Sequence, residues 1–165
     1  MNKPVRFFAA VFLFVFTLPH PASAQKCRYT IDSTNPGMHQ RFRSIQVVLD
    51  KQHTVVFRQD DKEYSLQLLI EVGVRPFGVV AKGDMLHVEL EDGHRFDLFV
   101  SEKGKRTVST VQLKCNTDRQ TLELFAKSFL TGMKLHISSM DYTIGEPDDR
   151  RKSQLEKAAQ CMLKD

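Results

Sequence analysis

The pairing in this sequence with the most chemical potential is histidine beside carboxylate. His87, Glu89 and Asp97 fall within one short stretch, Met85 to Val100, which reads MLHVELEDGHRFDLFV. An imidazole next to a carboxylate serves as a general base or as half of a metal site. Base catalysis also needs a nucleophile, and a metal needs a third ligand. The spacing around this stretch offers neither. No nucleophile elbow, zinc-protease helix or phosphate loop occurs in the chain. His39, His53 and His136 are scattered without ligand spacing and read as loop or strand-surface residues. A small hydrolase or metal-dependent enzyme using His87 and Asp97 is therefore kept as the alternative, and a cross-strand charge pair on an exposed sheet face is the preferred interpretation.

Cys27, Cys115 and Cys161 are the second chemical resource. None sits at zinc-ligand spacing. In an oxidising compartment, one disulfide and one odd thiol are expected. Three pairings are open. Cys27 and Cys161 would tie together the two ends of the domain, and this pairing is favoured. Cys27 and Cys115 both fall on inferred inward faces, which suits a bridge within the sheets.

Basic residues form the third resource. Lys103, Lys105 and Arg106 crowd one loop, and Arg150 and Arg151 open the last helix. Together they make a candidate surface for an acidic partner or an anionic envelope polymer, against the alternative of solvated surface charge.

The elements that must hold these residues follow from periodicity. In the Met85–Val100 stretch, a two-residue loop would mix the faces. A three-residue loop at Glu91-Asp92-Gly93 sorts them: Val88 meets Phe96 and Leu86 meets Leu98 on one face, while Glu89 meets Arg95 and His87 meets Asp97 on the other. Gly93 then takes the left-handed position of a type I turn with a bulge. A two-residue turn at Lys82-Gly83 would pair Val79 with Leu86 and Phe77 with Val88, giving the same buried face. Upstream, strands are predicted at Cys27–Ile31, Ser44–Leu49, Thr54–Arg58 and Tyr64–Val72, with turn chemistry at 33–37, 50–53 and 59–62. Downstream comes a strand over Val108–Cys115.

The period then changes. Thr117 and Gln120 suggest a capping box for a helix carrying Leu122, Phe125, Ala126, Phe129 and Met133 on one face, stopped by Gly132. Leu124 lies off that face. Lys134–Ser138 is a candidate last strand, and it and the first strand are candidate sheet edges, to which a partner strand could add. Met140–Pro147 reads as a loop. Asp148 or Asp149 caps a final helix with Leu155, Ala158, Ala159 and Met162 as its apolar stripe.

Residues 1–24 have a basic start at Lys3 and Arg6, a Phe-rich apolar run and an Ala22-Ser23-Ala24 cleavage site. This is a secretory signal, too short to span a bilayer. Residues 25–165 are then the mature chain, read as one β-rich domain. Losing Lys3 and Arg6 reduces the 24 basic residues to 22 against 20 acidic ones. A nearly neutral exported domain is not expected to bind nucleic acid. No second apolar run approaches membrane length, so no membrane span is expected. Gln25 and Lys26 precede Cys27 where a lipoprotein signal needs small residues, so no lipid anchor is expected either.

The C-terminal half has a recognisable layout. A hairpin at Asp92-Gly93-His94-Arg95-Phe96 is followed by VQLKCNTDRQTLELFAKSFLTGMKLHIS, a charged loop and the helix QLEKAAQCML. From about Asp92 to Leu163, this resembles small periplasmic β-rich proteins of the invasion-associated locus B type; type VI secretion accessory proteins have a similar tail. The resemblance implies a periplasmic, non-enzymatic sandwich acting through protein contacts, and it assigns no catalytic residue.

The fold expected is mainly β: an antiparallel sandwich or partly closed barrel with two short α-helices in its C-terminal third. The function expected is that of a periplasmic or secreted binding or accessory protein, an inhibitor or immunity protein included. Its partner would be an envelope or secreted protein, and no cofactor is implied.

Overall fold

The computed structural model describes residues 30–32, 40–61 and 63–164, with side chains from Phe42 onward. Residues 1–24, expected to be a secretory signal, together with Cys27 and the turn predicted at 33–37, lie outside the described residues. Among the described residues there are ten strands: β1 (Thr30–Asp32), β2 (Gln40–Val48), β3 (His53–Asp60), β4 (Glu63–Glu71), β5 (Met85–Leu90), β6 (Arg95–Phe99), β7 (Lys105–Arg106), β8 (Thr110–Thr117), β9 (Leu130–Ile137) and β10 (Met140–Ile144). Helix α1 spans Arg119–Lys127 and α2 spans Asp149–Met162. The strands form two antiparallel sheets, β1-β2-β3-β4-β8-β7 and β10-β9-β5-β6. Neither closes on itself, so the sandwich holds and the barrel does not.

Strict alternation makes these sheets. Phe57, Leu66, Leu68 and Ile70 of the larger sheet and Leu86, Val88 and Leu135 of the smaller one are all buried, while their neighbours along each strand face outward. Each buried aliphatic or aromatic side chain contributes about 1.5–3 kcal/mol of transfer free energy, which makes the pattern decisive for register. The two helices pack on each other, and α2 lies against β2 and β3.

The central hairpin has the predicted register: Leu86 opposite Leu98, His87 opposite Asp97, Val88 opposite Phe96 and Glu89 opposite Arg95. The Leu90 N–H donates to the His94 carbonyl at 2.9 Å, which closes the loop over Glu91-Asp92-Gly93. Gly93 has φ of +85°, a conformation that costs glycine nothing and a residue with a Cβ a great deal.

The other side of β5 differs from expectation. Phe77–Ala81 is not a strand, and no turn at Lys82-Gly83 pairs Val79 with Leu86. That edge of β5 belongs to β9, with Leu86 opposite Leu135 and Val88 opposite Met133. Phe77 and Val80 are buried but Val79 is 67% exposed, so the segment lacks the alternation that a ladder needs. It is held instead by Arg106, whose guanidinium donates to the Phe77 carbonyl at 2.9 Å and the Arg75 carbonyl at 3.1 Å. Gly78 allows close approach: a Cβ there would stand 2.5 Å from Cδ1 of Ile137.

Helix α1 also departs from its sequence reading. Asp118, not Thr117, is the N-cap, and its carboxylate accepts from the Thr121 N–H at 2.7 Å. The helix ends at Lys127 with Ser128 as an extended C-cap, five residues before Gly132. Gly132 and Met133 lie inside β9. Spacings of three and four happen to fit Phe129 and Met133 to a helix, yet Leu130, Met133, Leu135 and Ile137 are the buried set once β9 pairs with β5. Leu124, off the helical face, is half-buried.

Two further corrections follow. Met140–Ile144 is strand β10, not loop, and its Ile144 is buried opposite Met133. Residues 134–137 are therefore interior to their sheet. The edges among the described strands are β1 and β7 of the larger sheet and β10 and β6 of the smaller. The last helix begins as expected: Asp148 caps it by accepting from the Arg151 N–H at 2.9 Å. No described helix is long and apolar enough to cross a membrane.

Candidate functional site

His87, the most chemically suggestive residue of the sequence, sits on the outer face of the smaller sheet. Its strand lies between β6 and β9, so His87 has Asp97 on one side and Lys134 on the other. One step along the same face, Met85 has Phe99 and His136 as its cross-strand neighbours. Across β10, Asp141 lies opposite His136. The result is a four-strand strip carrying two imidazoles, each beside its own aspartate. His87 Nδ1 is 2.7 Å from Asp97 Oδ1, and His136 Nδ1 is 2.7 Å from Asp141 Oδ1.

A carboxylate only accepts, so Nδ1 is the protonated nitrogen in both rings. Lys134 Nζ adds a 2.8 Å ion pair to Asp141. Hydrogen bonds from Lys134 and then His136 hold the Asp141 carboxyl below its ordinary value. Glu89 accepts from Arg95 Nε at 2.7 Å, as the hairpin register requires.

Neither imidazole hydrogen-bonds to a hydroxyl or thiol among the described residues. No three His, Cys, Asp or Glu side chains among them converge as a metal-holding group.

A third histidine, scattered in the sequence, is the buried one. His53 donates from Nδ1 to Asp50 at 2.7 Å, and its Nε2 accepts from the Tyr142 hydroxyl at 2.8 Å. Burial acts to raise the Asp50 carboxyl, but hydrogen bonds from the His53 ring and the Gln52 and His53 N–H groups outweigh it and leave the group lowered. Burial and the Asp50 charge push the Tyr142 phenol up. The carboxylate-imidazole-hydroxyl order is that of a proton relay. Here, however, the hydroxyl is a phenol whose ring packs edge-on against Phe77 at 5.1 Å. The chain of bonds ties the β2–β3 turn to β10, and so one sheet to the other.

The predicted basic surface is divided. Lys103 and Lys105 are exposed near β7, whereas Arg106 is spent on the carbonyls of Arg75 and Phe77. Arg150 is exposed at the start of α2, and Arg151 reaches Gln154 at 3.1 Å. β7 lies at one edge of the larger sheet, whereas α2 packs against β2 and β3 nearer the other. The two groups are not brought together.

An open cleft lies elsewhere. Just past the end of β6, Val100 forms an isolated bridge with Cys115 of β8, and Ser101 N–H donates to the Lys114 carbonyl at 2.8 Å. Beyond that bridge the strands diverge and leave an open cleft of about 610 Å³, lined by Asp97, Phe99, Asn116, Thr117 and Asp118 among others. His94 and Val100 direct their backbone groups toward β5. By antiparallel alternation, those of Arg95 and Asp97 point the other way, where no described strand pairs with them. Phe99 is 59% exposed at the cleft. No sequence signal marked this site, because it arises from two strands parting.

Cys115 is a free, buried thiol, which removes the Cys27–Cys115 alternative. Burial pushes its pKa up to about 12, so it is a poor nucleophile. Cys161 is buried on α2, and Cys27 lies outside the described residues. With Cys27–Cys161 as the remaining pair, the expected alkylation pattern without reductant is no label on the folded protein and one label, on Cys115, after denaturation. Reduction should raise this to three. Labelling of Cys161 in the unreduced, denatured chain would contradict the pairing.

The chain matches no protein-family model, no curated protein and no solved structure.

Proposed function

We propose that this chain is an exported binding or accessory protein of the cell envelope, and that it holds an extended segment of a partner protein along the open side of β6. The observation that carries this is the edge itself. The outward backbone donor and acceptor of Asp97 border a cleft whose rim presents an exposed phenylalanine, and those of Arg95 continue the open edge beyond it. Backbone pairing supplies affinity in strand addition, and a side-chain anchor supplies preference. Exposed aromatics beside a concavity are the usual anchors of such contacts. The secretory signal read at residues 1–24 and the resemblance to periplasmic β-rich proteins agree with this role. An inhibitor or immunity protein fits the same class.

Phe99→Glu is expected to weaken capture of a stoichiometric envelope partner by at least tenfold, equivalent to about 1.4 kcal/mol. Val108→Glu, at a residue 83% exposed outside the cleft, should leave capture unchanged. In the complex, amide hydrogen exchange at Arg95 and Asp97 should slow. Capture indifferent to Phe99→Glu, or amides as open as in the free protein, would defeat this proposal.

A further inference from the structure

The outer face of the smaller sheet combines side chains that chemistry elsewhere uses to hold soft metals. We propose that Met85, His87 and His136 form a binding site for a monovalent copper ion. Met85 and His136 are direct cross-strand partners, and His87 is two residues along from Met85 on the same face. Directly opposed Cβ atoms in a sheet stand about 4.5–5.5 Å apart and diagonal ones about 7–8 Å. A thioether and two imidazoles rooted at such positions reach a common point above the sheet.

The two imidazoles are prepared in the same way. Each gives its Nδ1 proton to an aspartate at 2.7 Å, which leaves Nε2 unprotonated in the neutral ring and aimed away from the carboxylate. A carboxylate on the far nitrogen of a ligating histidine fixes tautomer and ring orientation and raises basicity. The aspartates thus act behind the ligands, in keeping with the lack of a three-residue group of His, Cys, Asp or Glu among the described side chains. The third ligand is a sulfur.

Ligand softness selects the ion. The thioether selects copper(I) and imidazole accommodates it, whereas harder oxygen sets favour magnesium, calcium and manganese. Charge points the same way. Lys134 lies opposite His87 but is drawn to Asp141 at 2.8 Å. With Asp97 and Asp141 negative and Lys134 positive, the strip carries one net negative charge, which a single positive charge neutralises. The nearby ammonium disfavours a dication more strongly. Both histidines are about one-third exposed, so the ion enters from solvent without any movement of the fold.

The test is titration of the purified full mature protein with copper(I) under anaerobic conditions, against a chromophoric copper(I) chelator. One equivalent should be withdrawn from the chelator. Met85→Leu, which keeps the side-chain volume, should weaken retention at least tenfold, and so should His136→Gln and His87→Gln. Asp97→Asn should weaken it 10–100-fold through the ligand behind which it stands. His94→Gln, at the exposed hairpin tip, should have no effect. Unchanged thermal unfolding of each variant in the absence of copper would confirm that only the site was altered. The proposal fails if the chelator keeps all the copper. It also fails if retention is indifferent to Met85→Leu and His136→Gln together, or if His94→Gln costs as much as they do.

Discussion

Arg43→Met is expected to lower stability by about 3–5 kcal/mol, the range for removing one partner from a buried, charge-assisted network. At about 2–4 °C per kcal/mol for a chain of this size, the unfolding midpoint should fall by about 10 °C. Arg43 is 3% exposed on the inner face of β2. Its Nη1 donates to the Cys161 carbonyl at 3.1 Å and the Lys164 carbonyl at 2.5 Å. Its Nη2 donates to the Met162 carbonyl at 2.8 Å and to Gln59 Oε1 at 2.6 Å.

The last carbonyls of a helix have no partners within it and carry the negative end of its dipole. The guanidinium satisfies them and receives its charge compensation from them, so α2 is pinned to the sheet by its own C-terminus. Methionine matches the length but abandons those carbonyls in a dry environment. Lysine should recover little, because one ammonium does not reproduce the fork. Thermal unfolding followed by circular dichroism measures the shift, and amide exchange should show 155–164 loosening first. A midpoint equal to that of the unsubstituted protein would mean that the network contributes nothing net.

The second large effect is expected at Phe125, where α1 meets both sheets. Its ring lies 5.4 Å from Phe57 of β3 and 5.6 Å from Phe96 of β6, edge-on in each case. Phe57 and Phe125 are buried, and Phe96 is half-buried. Phe125→Ala removes the residue common to both contacts and opens a cavity that rigid sheets on two sides are poorly able to close. The expected cost is about 3–5 kcal/mol. Phe125→Leu should cost under about 1.5 kcal/mol plus the lost ring pairs, each about 0.5–1.5 kcal/mol. Denaturant midpoints of Phe57→Ala, Phe125→Ala and the double variant test the account. Strict additivity would show that the rings pack independently, against the coupling expected here.

Much of this architecture was legible in the linear chain wherever the physical constraint is local. Val88, Leu86, Phe96 and Leu98 alternate around Asp92-Gly93, and only one loop length puts them all on one side, so the hairpin register followed without coordinates. The N-cap of α2, narrowed to Asp148 or Asp149, and the strands β4 and β8 followed in the same manner. Residues 129–133 did not, because their spacing suits a helix and a strand equally, and local propensity was too weak to decide. Phe77–Ala81 failed for the opposite reason: it has apolar residues, but the edge of β5 expected to pair with it is taken by β9.

By itself, then, the sequence determined the mainly β antiparallel class, with sandwich and partly closed barrel both open, the hairpin bearing His87 and Asp97, and the helix stripe of Leu155, Ala158, Ala159 and Met162. Tertiary structure alone decided that β9 lies beside β5, which brings His136 next to Met85, 51 residues away in sequence. It alone decided that β6 and β8 part on the N-terminal side of Val100, and that Arg43 faces a helix end more than a hundred residues away. Alternation and turn geometry act over a few residues and are written in order along the chain. Which strand completes an edge is a competition among distant segments for the same backbone hydrogen bonds and the same dry surface, and that competition is resolved only when all of them are folded together.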